Sequence, residues 1–281
     1  GHAGEHRLQD LMQYYGGFDH NAHTLKLLTH LEQRYATFDG LNLTWESLEG
    51  IVKHNGPFDD DEEIHWYIKA YNQHHNLDLY HCPSLEAQVA AIADDIAYNN
   101  HDIQDGLRAG LFTVTELLEL EHIALHFEAM LAKYPEAEES RIVFETLRHL
   151  SSEMVNDVIR RTKQNIESMN ISSDADIRSA KHLIVEFSPE YQQIIKLHRE
   201  FLSKRMYQHP SVRRMTVKID RIINSLFEFY SENLTCLPRE WQHLTGNDIR
   251  QNTIVVCDFI AGMTDRYAIK EYKAIFDPHL D

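Results

Sequence analysis

The stretch "DDIAYNNHDIQD" sets Asp94, Tyr98, Asp102 and Asp105 at near-helical spacing. At about 100° per residue they share one side of a helix, within roughly 80°. Like charges stacked in this way are mildly unfavourable. Such a face is either solvated or looks into a site. In a site, one carboxylate can hold a hard metal ion, the tyrosine can stack on a ring, and a second carboxylate can accept from a hydroxyl.

The chain opens on a second group, "GHAGEH". His2, Glu5 and His6 fit H-x-x-E-H, in which two histidines one turn apart bind zinc and the glutamate acts as base. That reading needs a helix at the very terminus with Gly4 inside it, at about 1 kcal/mol relative to alanine. A five-residue match is also common by chance. A metallopeptidase is therefore not expected. Nineteen histidines raise the chance of a metal site without locating one.

The elements that hold these residues read as helices. Leu85, Val89, Ile92, Ile96 and Ile103 fall in one stripe over 84–108, with Ser84 able to cap it. Leu25, Leu28 and Leu31 repeat with helical period after "GGFDHN". A short helix capped by Thr44 ends at the Asn-Gly-Pro breaker, 55–57. Further patterns cover about 114–133, 138–169, 189–207, 211–232 and 247–274. The only strand rivals, "RIVFE" and "TIVVCDFI", also fit helices. The expected fold is all-α, one multi-helix domain over 1–281 with a C-terminal helical extension.

Composition narrows the class. The 281 residues are 43% hydrophobic, which supports a globular core. No run of about 18 apolar residues suggests a membrane span, and the opening residues lack a signal-peptide pattern. Cys82, Cys236 and Cys257 are far apart, as suits a reducing compartment, so a cytoplasmic location is expected. A formal charge of −17 repels nucleic acid unless basic residues gather. Eight of the 27 lysines and arginines do lie between Lys196 and Arg221. They form a solvated helix face or the wall of a pocket for a small polyanion.

"SLEAQVAAIADDIAYNNHDIQDGLRAG" closely resembles the deoxyguanosinetriphosphate triphosphohydrolase-like branch of the HD-domain proteins. "GHAGE", "GGFDHNAHTLKLLTHLE", "GLNLTWESLEGIVKHNGP", "FLSKRMYQHPSV", "LPREW" and "VCDFIAGMTDRYA" follow in the family's order at about its spacing. The resemblance covers essentially the whole chain. It implies an HD-domain helical fold and metal-dependent cleavage of a deoxynucleoside triphosphate (dNTP) to deoxynucleoside and intact triphosphate. The implied cofactor is a divalent metal ion, Mg²⁺ or Mn²⁺. In the family it is held by a histidine, a His-Asp doublet and a distant aspartate.

Asp94 matches the distant aspartate, Tyr98 the sugar-packing tyrosine and Asp102 the acid that accepts from the sugar 3′-hydroxyl. His101-Asp102 is then not the doublet, which with the earlier histidine falls ahead of residue 1. His2 and Glu5 match the catalytic histidine and its carboxylate partner, with His6 a bystander. Lys53 matches a lysine on the triphosphate and Tyr207 a tyrosine near the nucleotide. Arg199, from the basic segment, is a further phosphate candidate. Asp265 and Arg266 match a signature without an assigned role, and an internal ion pair is expected of them. The implied partners are the dNTP and copies of this chain, as a dimer to hexamer. The alternatives are another HD-type nucleotide phosphohydrolase, or an inactive nucleotide-binding or assembly protein of the same fold.

Overall fold

Period-3.6 patterning becomes helix along the chain in the computed structural model, which describes residues 2–278. Fourteen α-helices occur among the described residues. They are α1 (His2–Met12), α2 (His20–Lys26), α3 (Trp45–Val52), α4 (Trp66–His74), α5 (Leu85–Arg108), α6 (Val114–Leu117), α7 (Glu121–Lys133) and α8 (Glu139–Ser168), followed by α9 (Asp174–Arg178), α10 (Pro189–Leu202), α11 (Pro210–Glu232), α12 (Arg239–Gln242), α13 (Ile249–Ala261) and α14 (Asp265–Phe276). Among the described residues the one β feature is an isolated bridge, Gln33 to Gly40. The fold is all-α, and "RIVFE" and "TIVVCDFI" lie in α8 and α13. No helix of the described residues is long and apolar enough to cross a membrane.

Side-chain caps set many of the starts. Asp19 accepts from the Ala22 amide, Ser84 from Ala87 and Ser188 from Tyr191, with Pro189 in the first turn of α10. Thr44 accepts from the Ser47 amide ahead of α3, as expected. Two expected helices divide. The pattern over 114–133 breaks after Leu117, because Thr113 and Glu116 form a reciprocal capping box for a one-turn α6. The break turns both Leu117 and Ile123 into one apolar cluster. The pattern over 247–274 breaks at Gly262, and Thr264 caps α14. Residues Leu27–Leu31 and Ser203–Tyr207 are single π-helical turns.

The chain forms two compact units. One comprises residues 1–48, 60–77 and 214–281. Its core gathers Leu8 and Met12 of α1, Leu226 and Tyr230 of α11, and Val256 and Ile260 of α13. The other comprises 49–59 and 78–213. There α8 packs on α5 and α7, and α10 on α5. Two clusters fill it, one around Ile103, Phe112, Leu150 and Phe201, the other around Ile96, Met154, Val185 and Ile195.

The buried face of α5 is offset from the expected stripe. Ile96 and Ile103 are buried as expected, but Val89 is exposed, and Gln88 and Asn99 are buried in its stead. Hydrogen bonding explains the offset. The Gln88 carboxamide oxygen accepts from the amides of Ile184 and Val185, and its nitrogen donates to the Pro83 carbonyl. Those buried groups would otherwise lack partners, at about 1–3 kcal/mol each.

Candidate active site

The offset turns Asp94 and Tyr98 of α5 outward, with Asp102 half-buried beside them. The π-helical turn after α10 brings Tyr207 onto the same face. Its hydroxyl donates to Asp102 and lies 3.3 Å from the Tyr98 hydroxyl. Burial first, and then the Asp102 carboxylate, push the Tyr207 phenol well above its ordinary range. Tyr207 therefore stays protonated and donating at neutral pH. π-helical turns often occur at functional sites, where the extra residue redirects a side chain. Here the turn delivers a phenol to a carboxylate.

Asp94 stands one turn before Tyr98. Its carboxylate is 72% exposed, with His54 Nε2 at 3.9 Å. No lysine or arginine pairs with it among the described residues. It offers a hard oxygen donor without a competing cation, which fits Mg²⁺ or Mn²⁺. Arg199 of α10 instead meets Asp95 at 3.0 Å, both side chains more than half exposed. Such a pair is worth little to stability and opens readily.

Lys53 lies in different surroundings from those expected of a phosphate ligand. Its side chain and that of Glu49 are fully buried and their charges meet at 2.5 Å. The ammonium also donates to the carbonyls of Asp78, at 3.0 Å, and His81, at 2.8 Å. Burial pushes the Lys53 pKa down, with Glu49 opposing it. Arg178 meets the same Glu49 oxygen at 3.0 Å.

In the other unit, Glu5 lies in the first turn of α1 and its carboxylate meets His20 Nδ1 at 2.7 Å. His2 begins the same helix, three residues earlier, so the two side chains share a face. The helix does start at the terminus and does contain Gly4. His2, Glu5 and His6 still do not converge as metal ligands. Asp265 sits in the first turn of α14, a favourable place for an anion. It and Arg266 are both exposed and form no ion pair among the described residues, so the expected internal pair is not found.

The structure thus joins Tyr98, Asp102 and Tyr207, keeps Asp94 on the same helix face, and encloses Lys53 in a buried network. It adds three groups the sequence reading missed. His54 and His20 sit beside expected residues but belong to no spacing pattern. The third is His122, His126 and Glu153, the one three-donor group of His, Cys, Asp or Glu among the described residues. Its signal was the i, i+4 histidine pair in "EHIALH". Burial holds both imidazoles below the ordinary histidine range.

Comparison with known proteins places this geometry. Residues 185–274 match the phosphohydrolase-associated domain model. Over 277 residues the chain is 44% identical to a deoxyguanosinetriphosphate triphosphohydrolase-like protein of Roseobacter denitrificans, covering 98% of this chain and 71% of that one. The chain belongs to the deoxyguanosinetriphosphate triphosphohydrolase-like family. Proteins of the same name from Rickettsia felis and Parvibaculum lavamentivorans are 40% and 43% identical, covering 98% and 99% of this chain and 72% of each relative. The family match spans both units. The associated-domain match covers α10, where Arg199 lies, the π-helical turn that carries Tyr207, and α13. This member of the phosphohydrolase family is all-helical, and it joins Tyr98, Asp102 and Tyr207 in one hydrogen-bonded cluster.

Proposed function

We propose that this protein hydrolyses deoxynucleoside triphosphates to deoxynucleoside and intact triphosphate. The observation that carries the reading is the hydrogen-bonded cluster of Tyr98, Asp102 and Tyr207. A deoxyribose has a flat apolar side and a free 3′-hydroxyl. Tyr98 supplies a ring edge for the first and Asp102 an acceptor for the second. Tyr207, donating to Asp102, fixes the orientation of the carboxylate.

Asp94 would hold the divalent cation together with the histidine and His-Asp doublet that the resemblance implies. When bound, that ion polarises a phosphate oxygen and lowers the pKa of water. Arg199 can leave Asp95 to meet an outer phosphate. His2, oriented through the carboxylate of Glu5, would carry the proton at its imidazole. Lys53 would act indirectly, by holding the chain around Asp78 and His81 in place.

The test is product analysis of the full-length protein with Mg²⁺ or Mn²⁺. Chromatography should find deoxynucleoside and triphosphate. Deoxynucleoside monophosphate with pyrophosphate as the sole products would overturn the reading. In the same assay Asp102→Ala should lower kcat/KM by about 10–150-fold, which corresponds to loss of a hydrogen bond to a charged group. A variant within twofold of the parent would remove Asp102 from the sugar site.

A further inference from the structure

The α5 face uses none of the histidines on α7. His122 and His126 stand one turn apart there, with ring centroids 4.6 Å apart. They face Glu153 of α8, whose Oε2 lies 2.9 Å from His126 Nε2. One donor atom from each of the three lies within 4.8 Å of the others. His149, one turn before Glu153, adds a further imidazole, with Nδ1 3.8 Å from Oε1.

An ordinary His–Glu pair accounts for only part of this. The pair satisfies His126 but leaves His122 Nε2 buried with no partner. A second orphan lies beside it. His198, from α10, is 1% exposed, and its ring centroid is 6.1 Å from that of His122. Its Nδ1 meets Asn99 Oδ1 at 3.2 Å, and a carbonyl oxygen can only accept, so Nδ1 carries the proton. That leaves a bare lone pair on His198 Nε2, also without a partner. The His122 nitrogen belongs to the cluster itself and calls for a ligand there, since an unpaired buried polar atom is costly.

We propose that His122, His126 and Glu153 form a binding site for a zinc-class divalent cation that clasps α7 to α8. Two imidazoles are borderline donors, and with one carboxylate they make a set that suits Zn²⁺ and its neighbours better than Mg²⁺. Bonds of about 2.0–2.2 Å put tetrahedral donors about 3.3 Å apart. Donors already within 4.8 Å reach that spacing by small side-chain rotations. The surroundings are also those of a metal site. The Tyr191 hydroxyl donates to Glu153 Oε2 at 2.8 Å and fixes the carboxylate, as outer partners of metal ligands do. His126 is 16% and Glu153 33% exposed, so an ion has a path in. The site shares no residue with the proposed nucleotide face, and the clasp does not depend on the reaction assigned to it.

The experiment uses the chain without a polyhistidine tag, stripped with EDTA. Calorimetric titration with Zn²⁺ should show one saturable equivalent that His122→Asn/His126→Asn lacks. Co²⁺ should give visible d–d bands in the parent protein and lose them in the double variant. Zn²⁺ should raise the melting temperature of the parent only, because a ligand bound to the folded state alone stabilises it. Mg²⁺ at the same concentration should do none of this. If the double variant fails to fold, Tyr191→Phe serves instead. It leaves all three ligands in place and should weaken Zn²⁺ binding by about tenfold or more. Absence of saturable Zn²⁺ binding would overturn the site. So would an unchanged stoichiometry in the double variant, or unchanged affinity in Tyr191→Phe.

Discussion

Turnover in Asp94→Ala is expected to fall by about a thousandfold or more. Metal assistance supplies several kcal/mol of transition-state stabilisation, and each 1.36 kcal/mol is tenfold in rate. The carboxylate is 72% exposed and no lysine or arginine among the described residues holds it, so its loss should leave the fold intact. That separates a chemical from a structural effect. Circular dichroism and the melting temperature of the metal-free variant should match the parent. Mn²⁺ affinity, read by electron paramagnetic resonance, should fall together with turnover. Asp95→Ala is the internal control. Asp95 is the neighbouring acid in "DDIAY" and pairs with Arg199. Its removal should change the rate by less than about tenfold, as expected of an exposed ion pair. Full activity of Asp94→Ala would remove that residue from the site. Equal losses in both variants would point to the general charge of the face.

How far the sequence specified these features depends on what each feature rests on. The helices were legible because apolar period and caps are local. Ser84, Thr44 and the 85–108 pattern each stand where the structure uses them. The acidic–aromatic ladder was legible for the same reason, since i, i+4 spacing fixes a face. Two kinds of feature were not. The offset of the α5 core face came from Gln88, a polar residue buried because distant amides of Ile184 and Val185 needed an acceptor. No local pattern encodes a partner 96 residues away. The π-helical turn at Ser203–Tyr207 likewise looks like ordinary helix in sequence, yet it is what brings Tyr207 to Asp102. His122 and His126 were visible as a pair, but their carboxylate lies on the next helix.

Lys53 shows the same limit most sharply, and Lys53→Met should lower folding stability by about 3–5 kcal/mol. An exposed i, i+4 pair such as Glu49 and Lys53 would be worth only a few tenths of a kcal/mol. In the structure both side chains are fully buried. Methionine keeps the length of the side chain and removes its charge. Glu49 then keeps only Arg178, and its second oxygen is already without a partner. The carbonyls of Asp78 and His81 lose their donor as well. A buried carboxylate left with one cation in place of two, beside two carbonyls without a donor, is the costly product, and part of that cost should go when the carboxylate goes too. Lys53→Met/Glu49→Leu should therefore recover part of the loss, a coupling that a double-mutant cycle in urea measures directly. Lys53→Arg should not substitute, because a planar guanidinium cannot place its donors on the same two carbonyls and Glu49. The resemblance made Lys53 a triphosphate contact, and the cycle separates the two roles. A contact to substrate would raise KM in Lys53→Met and leave the urea midpoint where it was. A buried clamp shifts the midpoint first and affects kinetics only through the chain it holds at Asp78 and His81.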